Sequence, residues 1–99
     1  PTNDIYMYYP ARKTNEFHAE IIKKYPNKFK AFADINANGS YIMDEAPYEL
    51  EYAIKELGLH GLKLHPSNLA IDADDLRLVP VLRKAAELKI LLCIIQIHV

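Results

Sequence analysis

Gly58-Leu59-His60-Gly61-Leu62-Lys63-Leu64-His65-Pro66 is the stretch on which the fold turns. Gly58 fits the position just past a helix end, where the chain commonly enters the left-handed region. Gly61–His65 then reads as a short strand closed by Pro66, which has no donor for a sheet ladder. Upstream, Leu50, Ala53, Ile54 and Leu57 fall on one helical stripe, while Glu49, Glu51, Lys55 and Glu56 face elsewhere. Pro47 suits a first helical position. Glu51 and Lys55 are ordered for a favourable i,i+4 pair. Downstream, Asp75–Leu88 carries Leu82, Ala85 and Ala86 as its apolar side. Pro80 is ill suited to a helix interior, so the helix proper is expected from near Val79, with Asp74–Leu78 as an irregular first turn. Lys89–His98 is a near-continuous apolar run, expected as a strand buried on both faces.

Before the second helix, Phe17, Ile21 and Tyr25 recur every four residues. That period predicts a helix over Lys13–Tyr25, with Thr14 as its N-cap and Pro26 as its stop. Pro1–Arg12, with two prolines, reads as turn-like. Phe29–Asn36 is a strand candidate, followed by the turn signal Asn38-Gly39-Ser40. The order is α-β-α-β-α-β, and this alternation implies parallel strands joined by helical crossovers. The fold class expected is α/β, with residues 1–99 as one domain.

Composition narrows the function classes. Half the residues (51%) are apolar and 25% are charged, which suits a packed core and not a disordered chain. Twelve Lys and Arg against 13 Asp and Glu leave a net charge of −1, so a nucleic-acid partner is not expected. The single cysteine, Cys93, cannot form an internal disulfide, and amid Leu and Ile it reads as a small core residue. The longest apolar run, Ile90–Ile95, is far too short to span a bilayer, and no cationic leader opens the chain. No membrane partner is expected, and the cytoplasm is the expected compartment. Gly-rich phosphate loops, paired-cysteine zinc spacings and basic stripes are absent from the sequence.

In parallel α/β folds, functional groups gather at the C-terminal ends of strands. Asp34 and Asn36 end the first strand, Lys63 and His65 the second, Gln96 and His98 the third. Members of each pair lie two apart and therefore share one face. Ile35, Leu64 and Ile97 are then directed at the covering helices. Taken singly, Asp34 reads as a turn cap, Lys63 as a snorkelling strand-edge lysine, and His18 and His60 as surface residues.

The order and spacing of these segments carry a resemblance. Glu49-Leu50-Glu51 with Leu57 through Pro66 resembles the EL..a..elG..G.klhP segment of amidohydrolase-related proteins, metal-dependent (β/α)8 barrels of the aminocarboxymuconate-semialdehyde decarboxylase type. Asn15-Glu16-Phe17 with Tyr25-Pro26-Asn27-Lys28-Phe29 is similar to that family's N…a…yP.rF.gfa.i.p segment. Asp75-Leu76 through Glu87-Leu88 and on to His98 is similar to its l.pl.e.a.elglpvliH segment.

The resemblance implies a TIM-barrel fragment covering about strands three to five of eight. It makes His98 a ligand of a catalytic divalent metal, commonly zinc, and puts Lys63 and His65 near the pocket as candidate catalytic residues. The implied chemistry is hydrolysis of a C–N or C–O bond, or nonoxidative decarboxylation, of a small-molecule substrate by metal-activated water. Departures from the family are plain: no His-x-His stands among His18, His60, His65 and His98. A (β/α)8 barrel takes about 250 residues and a catalytic metal about three protein ligands, so the chain alone is expected to be inactive. Two rival readings keep the same α/β alternation. One is a non-enzymatic module that self-associates into homo-oligomers through exposed sheet edges. The other is a flavodoxin-like regulatory domain, disfavoured because no acidic cluster ends the first strand.

Overall fold

A computed structural model describes residues 2–36, 41–64 and 75–94. Helix α1 spans Thr2–Lys24, strand β1 Phe32–Ala33, a short helix α2 Tyr41–Asp44 and helix α3 Ala46–Lys55. Strand β2 spans Gly61–Leu64, a 3-10 turn Leu76–Leu78, helix α4 Val79–Leu88 and strand β3 Leu91–Ile94. The three strands form one sheet in the order β1-β2-β3, every pair parallel. Fold class is therefore mixed α/β with a parallel three-stranded sheet, as the alternation implied. Asn38-Gly39-Ser40, His65, Pro66, Gln96, Ile97 and His98 lie outside the described residues.

The core lies on one face of this sheet. Ala33, Ile35, Leu62 and Leu64 meet Leu50 and Ala53 of α3, Val81 and Ala85 of α4, and Ile42 of α2, all buried. Alternation along each strand sends Asp34, Gly61 and Lys63 to the opposite face. Pro47 opens α3 and Pro80 opens α4, each within the first two helical positions, where its missing donor costs nothing. The irregular turn anticipated before Val79 is the 3-10 turn, capped by the Asp75 carboxylate, which accepts the Arg77 backbone N–H at 2.9 Å.

Both crossover helices end by wrapping into the left-handed region. Gly58 has φ 76° and lets the Leu59 N–H return to the Ala53 carbonyl at 3.0 Å. Lys89 does the same after α4 at φ 55°: its N–H reaches the Ala86 carbonyl, and the Ile90 N–H reaches the Ala85 carbonyl. This is the Schellman arrangement, with a lysine where glycine is usual.

Helix α1 departs from expectation. It begins at Thr2, not Lys13, so Thr14 is not a cap, and Pro10 lies inside the helix, not in a turn. The anticipated stripe is also misplaced. Phe17 and Tyr25 are exposed, and the buried residues are Ala11 and Asn15, followed by half-buried Ala19 and Ile22 packed at the core margin. The reason is proximity. Arg12 grips Glu49 of α3 through two hydrogen bonds of 3.1 and 2.8 Å and stacks over Tyr52 at 4.5 Å. Where α1 lies against its neighbours its buried side chains are a small one and an amide, Ala11 and Asn15. Glu51 adds a contact to α4 beside the Lys55 interaction expected of it. Its carboxylate accepts from Lys84 of α4 at 3.0 Å, and that hydrogen bond, then the charge of Lys55, holds it below the ordinary carboxylate range.

Two predictions follow from the helix ends. Lys89→Gly removes a left-handed Cβ penalty and should stabilise the fold by about 1 kcal/mol in urea denaturation; a loss of stability would show that the lysine side chain holds the turn. The Asp75 carboxyl is pulled down to about 2, first by the Arg77 side-chain hydrogen bond and then by the Arg77 backbone N–H. Its folded value lies below the unfolded value of about 3.9, so its contribution is complete above about pH 5 and is lost as pH falls toward 2. NMR titration should show the Arg77 amide shifting with a midpoint near pH 2, and no such step in Asp75→Asn.

Candidate functional site on the open sheet face

Strand β1 is short because its flanks are pinned by side chains instead of strand pairing. Ala31 donates its N–H to His60 Nδ1 at 3.2 Å, and its carbonyl accepts the His60 N–H at 2.9 Å. His60 is thus half-buried and structural, not the surface residue its sequence context suggested. Alternate residues of a strand turn their peptide groups to opposite edges, so Asp34 presents its own away from β2. There Asn15 of α1 meets it twice. Asn15 Oδ1 accepts the Asp34 N–H at 2.8 Å, and Asn15 Nδ2 donates to the Asp34 carbonyl at 3.0 Å. One buried amide does the work of a neighbouring strand.

This clamp positions the Asp34 side chain on the open face. Asp34 Oδ1 lies 3.0 Å from Lys63 Nζ, across the β1–β2 pair. Lys63 in turn is in register with Cys93 of β3, and Gly61 with Phe32 and Leu91. Two rows therefore cross the open face: Asp34–Lys63–Cys93 and, one step toward the strand starts, Phe32–Gly61–Leu91. The Asp34–Lys63 pair is partly solvated at 26% and 40% side-chain exposure, so its contribution to stability is at most about 1 kcal/mol. Cys93 is exposed, not a core residue. Leu91, Leu92 and Ile94 are 69%, 43% and 47% exposed, so β3 is open on both faces where burial was expected. Among the described residues it is the last strand of the sheet.

Gly61 is required by space. A Cβ there would stand 2.6 Å from the Leu91 carbonyl oxygen and 2.8 and 2.9 Å from two Phe32 ring carbons. The Phe32 ring thus lies over the glycine and turns one wall of a groove of about 450 Å³. Ile21, Ile22, Phe29 and Phe32 form its apolar sides; His18, Lys30, Asp34 and Lys63 supply its polar groups. His18 is half-buried here, and its Nδ1 has no hydrogen-bond partner among the described residues.

Of the residues singled out in the sequence, Asp34 and Lys63 are brought together, a contact that the sequence reading did not specify. His65, Gln96 and His98 fall outside the described residues. Among the described residues, no three His, Cys, Asp or Glu side chains converge on a position that could hold a metal ion, and no helix is long and apolar enough to cross a membrane. Asn15, His60 and Gly61 were not anticipated; only the Asn15-Glu16-Phe17 motif pointed at the first. Comparison of the chain with protein-family models, with curated proteins and with solved structures finds no match.

Gly61→Ala should cost about 2 kcal/mol, because the new methyl meets backbone on one side and a packed ring on the other. Thermal or urea denaturation reads this directly, and a neutral result would mean that β3 is free to move aside. Asn15→Ala should cost about 2 kcal/mol as well, since it leaves an N–H and a carbonyl of β1 without partners; hydrogen exchange at the Asp34 amide should accelerate with it.

Proposed function

We propose that the chain forms the third-to-fifth β/α segment of a metal-dependent amidohydrolase-type barrel, which hydrolyses a C–N or C–O bond or decarboxylates a small-molecule substrate in the cytoplasm. The observation that carries this reading is the arrangement of the sheet. Consecutive strands are parallel and adjacent, α3 and α4 share one face, and an acid–base pair stands near the strand C-termini on the other. In a closed (β/α)8 barrel that second face is the interior, the strand C-termini carry the active site, and the β1 edge held here by Asn15 would pass to a preceding strand. The consecutive β1-β2-β3 order is what such a barrel requires of three successive strands, and the later strands of a doubly wound sheet run in the same way.

Within this reading Lys63 is the group to touch substrate. Its ammonium, anchored by Asp34, would stabilise negative charge developing on a substrate oxygen without having to reorient. The described residues do not by themselves form a divalent-metal site, because Asp34, their carboxylate at the strand ends, is committed to Lys63. Zinc or another divalent ion would be held through His98 and ligands from the rest of such a barrel, and would supply activated water. His65 follows β2 directly and completes the proposed set of catalytic groups.

Elemental analysis of the complete protein, with and without His98→Ala, tests the reading. Stoichiometric divalent metal that is lost in the variant supports it; a metal-free protein, or full activity in the variant, rejects it. Lys63→Met should lower kcat/KM by about 100-fold while leaving metal content unchanged.

A second reading is favoured by the unequal sheet edges. Asn15 occupies the outer edge of β1, whereas β3 exposes three large apolar residues. A non-enzymatic module would self-associate through β3, and sedimentation would find a dimer that Leu92→Lys converts to monomer.

A further inference from the structure

We propose that the groove between α1 and the β1 edge is a binding site for a small amphipathic anion of the medium-chain carboxylate class. Its size, about 450 Å³, lies within the range of small-molecule pockets. The walls divide sharply by chemistry. Ile21 and Ile22 from α1 face Phe29 and Phe32 from the approach to β1, forming an apolar trough for a hydrocarbon body.

Charge sets the sign of the head group. Among the described residues, three charged side chains line the groove: Lys30, Lys63 and Asp34. Asp34 neutralises Lys63 at 3.0 Å, while Lys30 has no ion pair among the described residues. The groove thus carries one uncompensated positive charge, which disfavours a cation and leaves a neutral amphiphile without a partner for the ammonium. A carboxylate meets it with charge-assisted hydrogen bonds. The site shares Asp34 and Lys63 with the barrel reading but needs neither metal nor turnover, and most of its lining lies before or at the start of β1.

Titration of the full 99-residue chain, free of metal, with octanoate, octanol and octylammonium tests the assignment by amide NMR shifts and calorimetry. Octanoate should shift the amides of His18 and of Phe29 through Phe32, and should bind about tenfold or more tightly than octanol, with octylammonium weakest. Lys30→Gln, an exposed substitution that leaves the core untouched, should erase the preference for octanoate over octanol. The assignment is overturned if octanol binds as well as octanoate, if Lys30→Gln leaves the preference intact, or if the shifts centre on Leu91–Ile94, where bare hydrophobic adsorption would occur. Failure here leaves the metal content and His98 dependence of the complete protein untouched, so the two readings fail separately.

Discussion

The two hydrogen bonds between Asn15 and the Asp34 peptide are the constraint on which the rest of the described structure depends. Strand β1 pairs with β2 over only two residues, which is far too little to define an edge. A sheet edge left to water frays or pairs with another chain. Asn15 closes it from within, at 2% exposure, where its amide has no water to compete for it. Because the amide sits on α1, the same bonds fix the helix against the sheet. The Arg12–Glu49 fork and the Arg12–Tyr52 stack then set its distance from α3. His60 does the complementary task on the inner edge, holding Ala31 with its ring nitrogen and backbone.

What the clamp delivers is a fixed origin for the open face. With the Asp34 backbone held, its carboxylate reaches Lys63 and not solvent, and the Asp34–Lys63–Cys93 row follows from parallel register. Gly61 sits one row back and is bare so that Phe32 can lie flat across it. The groove exists because the ring is there. Stability and chemistry therefore share residues: removing the side chain of Asn15, or adding one at Gly61, would disturb the ion pair and the groove together.

Much of this fold was readable in advance where backbone chemistry is local. Pro47 and Pro80 marked helix starts and Gly58 a helix end because each residue restricts or frees its own φ. Leu50, Ala53, Ile35 and Leu64 lie on the core side, as period alone implies. The failures were all tertiary. The stripe of α1 was misread because its buried side is made of alanines and an asparagine, which no hydrophobic period flags. Thr14 fitted a cap, but the helix continues past it toward the N-terminus. Lys89 adopts a glycine-like φ that its identity does not announce. β3 and Cys93 were expected inside because an apolar run is indifferent to whether a neighbour covers it. At the candidate site, the shared face of Asp34 and Lys63 followed from period two; their contact needed the register, which only the assembled sheet provides.

The central claim is that the α1 clamp on β1 places the Asp34–Lys63 pair. A double-mutant cycle between Asn15→Ala and Lys63→Met, read by urea denaturation, tests it most directly. The two side chains share no contact except through Asp34, so independent sites would give additive losses within about 0.3–0.5 kcal/mol. The account predicts that Lys63→Met costs measurably less once Asn15 is gone, with a coupling above that limit. Additive losses would contradict it and would make the ion pair a surface contact indifferent to the helix.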